Sequence, residues 1–301
     1  MVEAIEDLFV PVLVYNNKSS DAALLKKFNE PSWNNPIVRF LKSDGQDLIK
    51  RESGVWTVGP VASRMVAALK AANQQVPSYL SGLAIDQTSL ESATFAMHCY
   101  WTGEARLGSI DGVMSTVSGW AGGLEVVQLT YDPKLVEYSK LVSAAQSFKC
   151  ATKVFAHTDS QLATAKSLVG TRAVKFPGSA SKAKLSDQKY QLRTSKGVRS
   201  LPLTTYQSTK INSLVRSPQR AELLKLLSPR QLVLLGQISE GFKSGKGDAI
   251  DRLVFPEDDA KLASYQAKLV SSLAANSPSS TAGSGSSAGG SSSSSAGSSS
   301  R

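Results

Sequence analysis

The sequence predicts an α+β protein built on a split β-α-β core, and three observations carry that prediction. An apolar run over 92–98 breaks directly into a helical pattern over 101–108. Two strand-like runs, 113–119 and 125–131, are separated by a short glycine-bearing stretch. A capped helical pattern over 133–147 leads into a further apolar run over 152–156. Strand, helix, strand, strand, helix, strand in that order is the ferredoxin-like arrangement.

Each element has its own signal. The first strand ends at Cys99, and a helix opening near Trp101 puts that thiol at the positive end of a helix macrodipole, a nucleophile's address. The second helix has Asp132 as cap, Pro133 at its first position, and Leu135, Tyr138, Leu141, Val142 and Ala145 on one face. Thr158 and Gln161 form a capping box for another helix through Leu162, Ala165 and Leu168. Right-handed crossovers leave the first strand flanked by the third and fourth, both running against it. Cys99 then lies beside their first residues, Glu125 on one side and 150–152 on the other, so topology alone brings Cys99, Glu125 and Cys150 to one edge of the sheet.

The flanking segments differ in character. Residues 8–80 read as strand 10–15, helix 21–28, strand 36–41, a turn at 43–46 leading to a short strand at 48–49, and helix 61–72, an order that resembles a thioredoxin-like domain. The turn after its first strand, 16–21, holds no cysteine, so the Cys-x-x-Cys pair is missing and a scaffold or docking role is expected. Residues 90–200 form the core domain. Over 201–275 helical patterns dominate, two of them opened by Ser217-Pro218 and Ser228-Pro229, and predict a helical extension. The last segment, 276–301, is almost wholly Ser, Gly and Ala, which cannot bury enough apolar surface to offset ordering entropy and is expected to be a disordered tail.

Composition narrows the function classes. With 41% hydrophobic and 19% charged residues, the 301-residue chain reads as ordinary globular protein. No apolar run is long enough to span a membrane, and the acidic start lacks the features of a secretory signal, so a cytoplasmic location is the default expectation. The net charge of +10 is spread along the chain without a zinc-finger, helix-turn-helix or RNA-binding pattern, and no specific nucleic-acid binding is expected. Two cysteines and two histidines have no metal-motif spacing; neither a metal nor a cofactor is expected.

Four motifs occur in a telling order: His98-Cys99-Tyr100-Trp101, Asp111-Gly112-Val113, Ser118-Gly119-Trp120-Ala121-Gly122-Gly123, and Glu125 opening a strand that ends in Tyr131-Asp132-Pro133. The run resembles the A-type peptide methionine sulfoxide reductases, which carry Gly-Cys-Phe-Trp, Gly-Val, Gly-Tyr-Ala-Gly-Gly and a glutamate strand ending in Tyr-Asp-Pro. The resemblance spans about 92–196, and 184–192 is similar to the family's late segment, in which an acidic residue, a glutamine and a tyrosine precede a leucine. It implies Cys99 as nucleophile, Glu125 as the acid that protonates the departing oxygen, and Tyr100 and Trp101 as the pocket for the substrate methyl group. Cys150 is then the candidate resolving thiol, thioredoxin or another dithiol the reductant, and an oxidised protein or small-molecule sulfoxide the substrate. The chain departs from the family in several places. His98 replaces the glycine before the nucleophile, the loop between the glycines and the glutamate strand is missing, and an acidic position falls at Ala145. The family's C-terminal cysteines are absent, and Cys150 falls near a family tyrosine. These departures keep a second reading open, a non-catalytic binding or structural module.

Overall fold

The computed structural model describes residues 1–275 apart from Ser32, Asn34, Asn35, Asp86, Cys150, Val254 and Glu257. Helices α1 (Val2–Leu8), α2 (Ala22–Lys27), α3 (Val58–Ala71) and α4 (Ser78–Ser81) precede the sheet. Then come β1 (Glu91–Met97), α5 (Tyr100–Gly108), β2 (Val113–Ala121), β3 (Leu124–Tyr131), α6 (Tyr138–Ser147), β4 (Ala151–Ala156), α7 (Asp159–Val169), β5 (Ala173–Lys175) and β6 (Ser181–Lys182). Helices α8 (Tyr190–Arg193), α9 (Thr205–Leu214), α10 (Pro229–Lys243), α11 (Gly247–Asp251) and α12 (Leu262–Ala274) follow.

The strands form one sheet in the order β5-β4-β1-β3-β2-β6. As the crossover argument requires, β1 lies between β3 and β4 and runs antiparallel to both. Side-chain alternation splits the sheet into two faces. On one, Ala93, Phe95 and Met97 of β1 join Val127, Leu129 and Tyr131 of β3, Val154 of β4, and the inward sides of α5, α6 and α7 in a buried core. On the other, Ala96, Ala121, Val126 and Phe155 are covered by Val174, Phe176 and Ala180. The α+β split β-α-β core is therefore as expected.

The second core helix begins later than the sequence suggests. Asp132 N–H donates to Gly112 O (2.8 Å) and Asp132 O accepts from Leu135 N and Val136 N, so 132–136 is a turn and α6 opens at Tyr138. Val136 is drawn inward against Gly112, where a Cβ would meet Val136 Cγ1 at 2.6 Å, and Leu135 is left outside, 64% exposed.

The amino-terminal segment corrects the thioredoxin-like expectation. Among the described residues before β1 there is no strand, only an isolated bridge between Leu41 and Asp47. The run expected as a first strand forms no regular element, with Val10 90%, Val12 75% and Leu13 74% exposed. Pro11 removes one donor from its centre. The local core is helical instead, with Ala4, Ala62, Met65, Leu69 and Leu80 gathered around Phe40. A salt-bridged knot of Glu30, Arg39, Asp47 and Arg51 fixes the intervening chain.

Residues 201–275 are largely helical and have their own core, centred on Leu201, Leu203, Ile211, Ile238 and Leu269. Capping boxes at Thr204/Gln207 and Ser228/Gln231 start α9 and α10. The serine- and glycine-rich tail lies outside the described residues.

Candidate active site

Cys99 is the N-cap of α5, half-buried, with extended backbone at φ −148° and ψ 113°; its side chain makes no capping bond. Glu125 serves that end instead: its Oε2 accepts from Tyr100 N–H at 2.8 Å, placing a carboxyl group on the residue that follows the thiol. Two register facts bring it there. Ala96 of β1 pairs with Val126 of β3, and Trp120 of β2 pairs with Glu125. The β2–β3 connection consists of Gly122 and Gly123 alone, with φ +55° and +76°, between the pair Ala121 and Leu124. Positive φ at both positions is what a type I′ hairpin turn demands, and glycine supplies it without strain.

On the other side of β1, Met97 pairs with Ala151. The start of β4 thus lies beside the end of β1, as the topology predicts. Cys150 itself is outside the described residues.

Four aromatic rings run across this corner. Trp120 meets Tyr100 edge-on at 5.8 Å between centroids, Tyr100 meets Trp101 edge-on at 6.1 Å, and Trp101 is stacked on Tyr190 at 4.0 Å with 10° between planes. Tyr100 is buried. Burial pushes its phenol above the usual range, aided by the nearby side chains of Asp187 and Glu125. Glu125 therefore holds the amide of residue 100, and Asp187 lies beside its phenol.

The segment carrying Asp187 and Tyr190 is anchored by polar contacts. Gln188 accepts from Ser118 N (3.0 Å) and donates to Ser118 O (2.7 Å), adding a rung beside β2 beyond the pairs of β6. Lys189, left-handed at φ +50°, donates through both its backbone N (2.7 Å) and Nζ (3.0 Å) to Glu104, which is fully buried in α5. Thr116 Oγ1 also donates to Glu104, and Lys189 Nζ bonds Thr116 O. Glycine at 103 lets α5 sit down on β1, because a Cβ there would meet Met97 Cγ and Sδ at 2.8 Å.

Sequence reasoning located Cys99, Glu125, Tyr100 and Trp101, and these share one corner. It left Asp187, Trp120 and Tyr190 without roles there. A signal for Tyr190 and Asp187 did exist, in the late segment similar to the reductases. For Trp120 the signal was its pairing with Glu125 across a two-glycine turn. The histidines do not join the site: His98 is exposed, and His157 lies toward the other end of β1, with Nε2 2.8 Å from Thr94 Oγ1. Burial pulls its imidazole below the usual histidine range. Among the described residues no group of three or more His, Cys, Asp or Glu side chains is placed to hold a metal ion, and no helix is long and apolar enough to cross a membrane.

No family model matches the chain. Curated relatives do. The chain is 31% identical to peptide methionine sulfoxide reductase A5 of Arabidopsis thaliana over 101 residues, 29% of this chain and 40% of that protein. It is 36% identical over 73 residues to peptide methionine sulfoxide reductase MsrA of Methanococcus maripaludis strain C5, and 35% identical over 74 residues to MsrA of Geobacter sulfurreducens, 46% of each of those proteins. The chain thus contains a region similar to A-type methionine sulfoxide reductases, and it spans less than half the length of these relatives.

Proposed function

We propose that the protein is a thiol-dependent oxidoreductase that reduces methionine sulfoxide. The observation that supports this most is the bond from Glu125 to Tyr100 N–H, which sets a carboxyl group beside the helix end that carries Cys99. An acid is needed there because oxide is a poor leaving group without a proton.

In the first step the Cys99 thiolate attacks the sulfoxide sulfur, and the oxygen passes to Cys99 as its S–O bond to substrate breaks. Glu125 supplies the proton, so the products are a sulfide, Cys99 sulfenic acid and the Glu125 carboxylate. Tyr100 and Trp101 wall the methyl group. In the second step the Cys150 thiol attacks the Cys99 sulfur, water leaves, and a Cys99–Cys150 disulfide forms. A dithiol reductant, thioredoxin or a chemical equivalent, then reopens it by exchange and is itself oxidised to a disulfide.

A second reading, a binding module without turnover, is favoured by one observation. Ala145, where an acidic residue is expected from the resemblance, is fully buried among α6 core residues and brings no charge. The two readings separate in one assay. With dithiothreitol the wild type consumes methionine sulfoxide and Cys99→Ser does not. Under one equivalent of sulfoxide without reductant, wild type forms an intramolecular disulfide seen as a gel shift, and Cys150→Ser does not. Equal consumption by wild type and Cys99→Ser rejects the reductase.

A further inference from the structure

We infer that Trp120 makes this site selective for sulfoxides that carry an aromatic ring, aryl methyl sulfoxides above the aliphatic methionine sulfoxide. The inference rests on the reductase reading and adds the class of substrate. Of the four rings at the corner, Trp120 is the most open. Tyr100 is buried, and one face of Trp101 is covered by Tyr190 at 4.0 Å, with Tyr190 in turn committed to that stack. Trp120 is the one exposed residue of the four, at 44%, while Trp101 and Tyr190 are half-buried. It is the exposed residue of β2, whose other side chains are buried or half-buried.

Its position matters as much as its exposure. Trp120 is the cross-strand partner of Glu125, and directly opposed residues project from the same face of a sheet. The indole and the carboxyl group are therefore neighbours, and the carboxyl is bonded to the residue after Cys99. With the methyl group against Tyr100 and Trp101, the second substituent on sulfur points toward Trp120. A flat ring there stacks or meets the indole edge-on, whereas a flexible aliphatic chain gains only contact area.

An aromatic contact of this kind is worth about a tenfold difference in affinity. The test uses the full chain as Cys99→Ser, which binds without turning over, titrated with methyl phenyl sulfoxide and with methionine sulfoxide by calorimetry. Wild-type turnover of both is measured in parallel. Expected are about tenfold tighter binding of the aryl compound, loss of that preference in Cys99→Ser/Trp120→Ala, and its retention with phenylalanine at 120. Circular dichroism confirms that each variant is folded. Equal affinity for the two sulfoxides, no saturable binding of either, or a preference that survives Trp120→Ala overturns the inference. If wild type turns over neither compound while the Trp120-dependent binding preference persists, the reductase reading fails and this one stands. If both are turned over without preference, the reverse holds.

Discussion

Tyr100 has Glu125 at its amide and Asp187 beside its phenol, and only the first could be placed by strand order and register. Glu125 could be placed because strand order and register fix it beside the end of β1. Asp187 could not, because its place beside the Tyr100 phenol depends on how a segment beyond the sheet folds back. The same distinction governs Trp120: its cross-strand partner follows from a two-residue turn, while its exposure depends on what does not cover it. At this scale the proton assigned to Glu125 makes a direct prediction. Glu125→Gln keeps an acceptor for Tyr100 N–H but has no proton to deliver. The single-turnover rate of sulfenic acid formation should fall by about 10²–10⁴, while exchange of a preformed disulfide with dithiothreitol proceeds at the wild-type rate. Rapid-quench sampling separates the two, and an unchanged first step would remove Glu125 from its role.

Helix α5 is gripped at three levels. Glu125 holds its first amide, Lys189 pairs with Glu104 in its middle, and Lys210 of α9 donates to Gly108 O (2.9 Å) and Ile110 O (2.6 Å) at its end. The helix was legible from its pattern; the grips were not, since nothing local in the sequence marks Lys189 as left-handed or Lys210 as buried. The last grip has a pH signature. Burial lowers Lys210 to about 8, against a nearby Asp111 that pulls the other way. A folded-state value below the unfolded 10.5 means the unfolded chain binds more protons between these limits. Stability is therefore gained as pH rises through this window and lost as pH falls through about 8. Urea titrations at intervals from pH 7 to 11 should show wild type gaining on Lys210→Met by up to about 3 kcal/mol. A constant difference would mean that the ammonium is not desolvated.

For the whole molecule, four of the six strands of the sheet were legible in the sequence, β5 and β6 were not, and the amino-terminal segment was misjudged. Those four were readable because each is bounded by a cap, a glycine pair or a helix, and one crossover rule fixes their order. Residues 10–15 have strand composition but no neighbour to pair with, and composition alone cannot supply one. The extension's α9 closes over α5: a Cβ on Gly108 would meet Thr209 O at 3.1 Å. Removing 201–275 uncovers the end of α5 and also Leu192 and Val198, which are buried in the extension's core. Exposing those two side chains alone costs about 3–5 kcal/mol. The truncated chain should therefore lose its cooperative thermal transition by circular dichroism. A sharp melt at the full-length temperature would show that the sheet stands without the extension.

The grips on α5 also set an order in time. Cys99 leaves the ribosome before Lys189 and well before Lys210, and at ordinary translation speeds the interval is on the order of ten seconds. During that interval the nascent thiol is carried by a helix not yet anchored at its middle or its far end. A newly made chain acquires the finished Cys99 corner only once synthesis has passed α9.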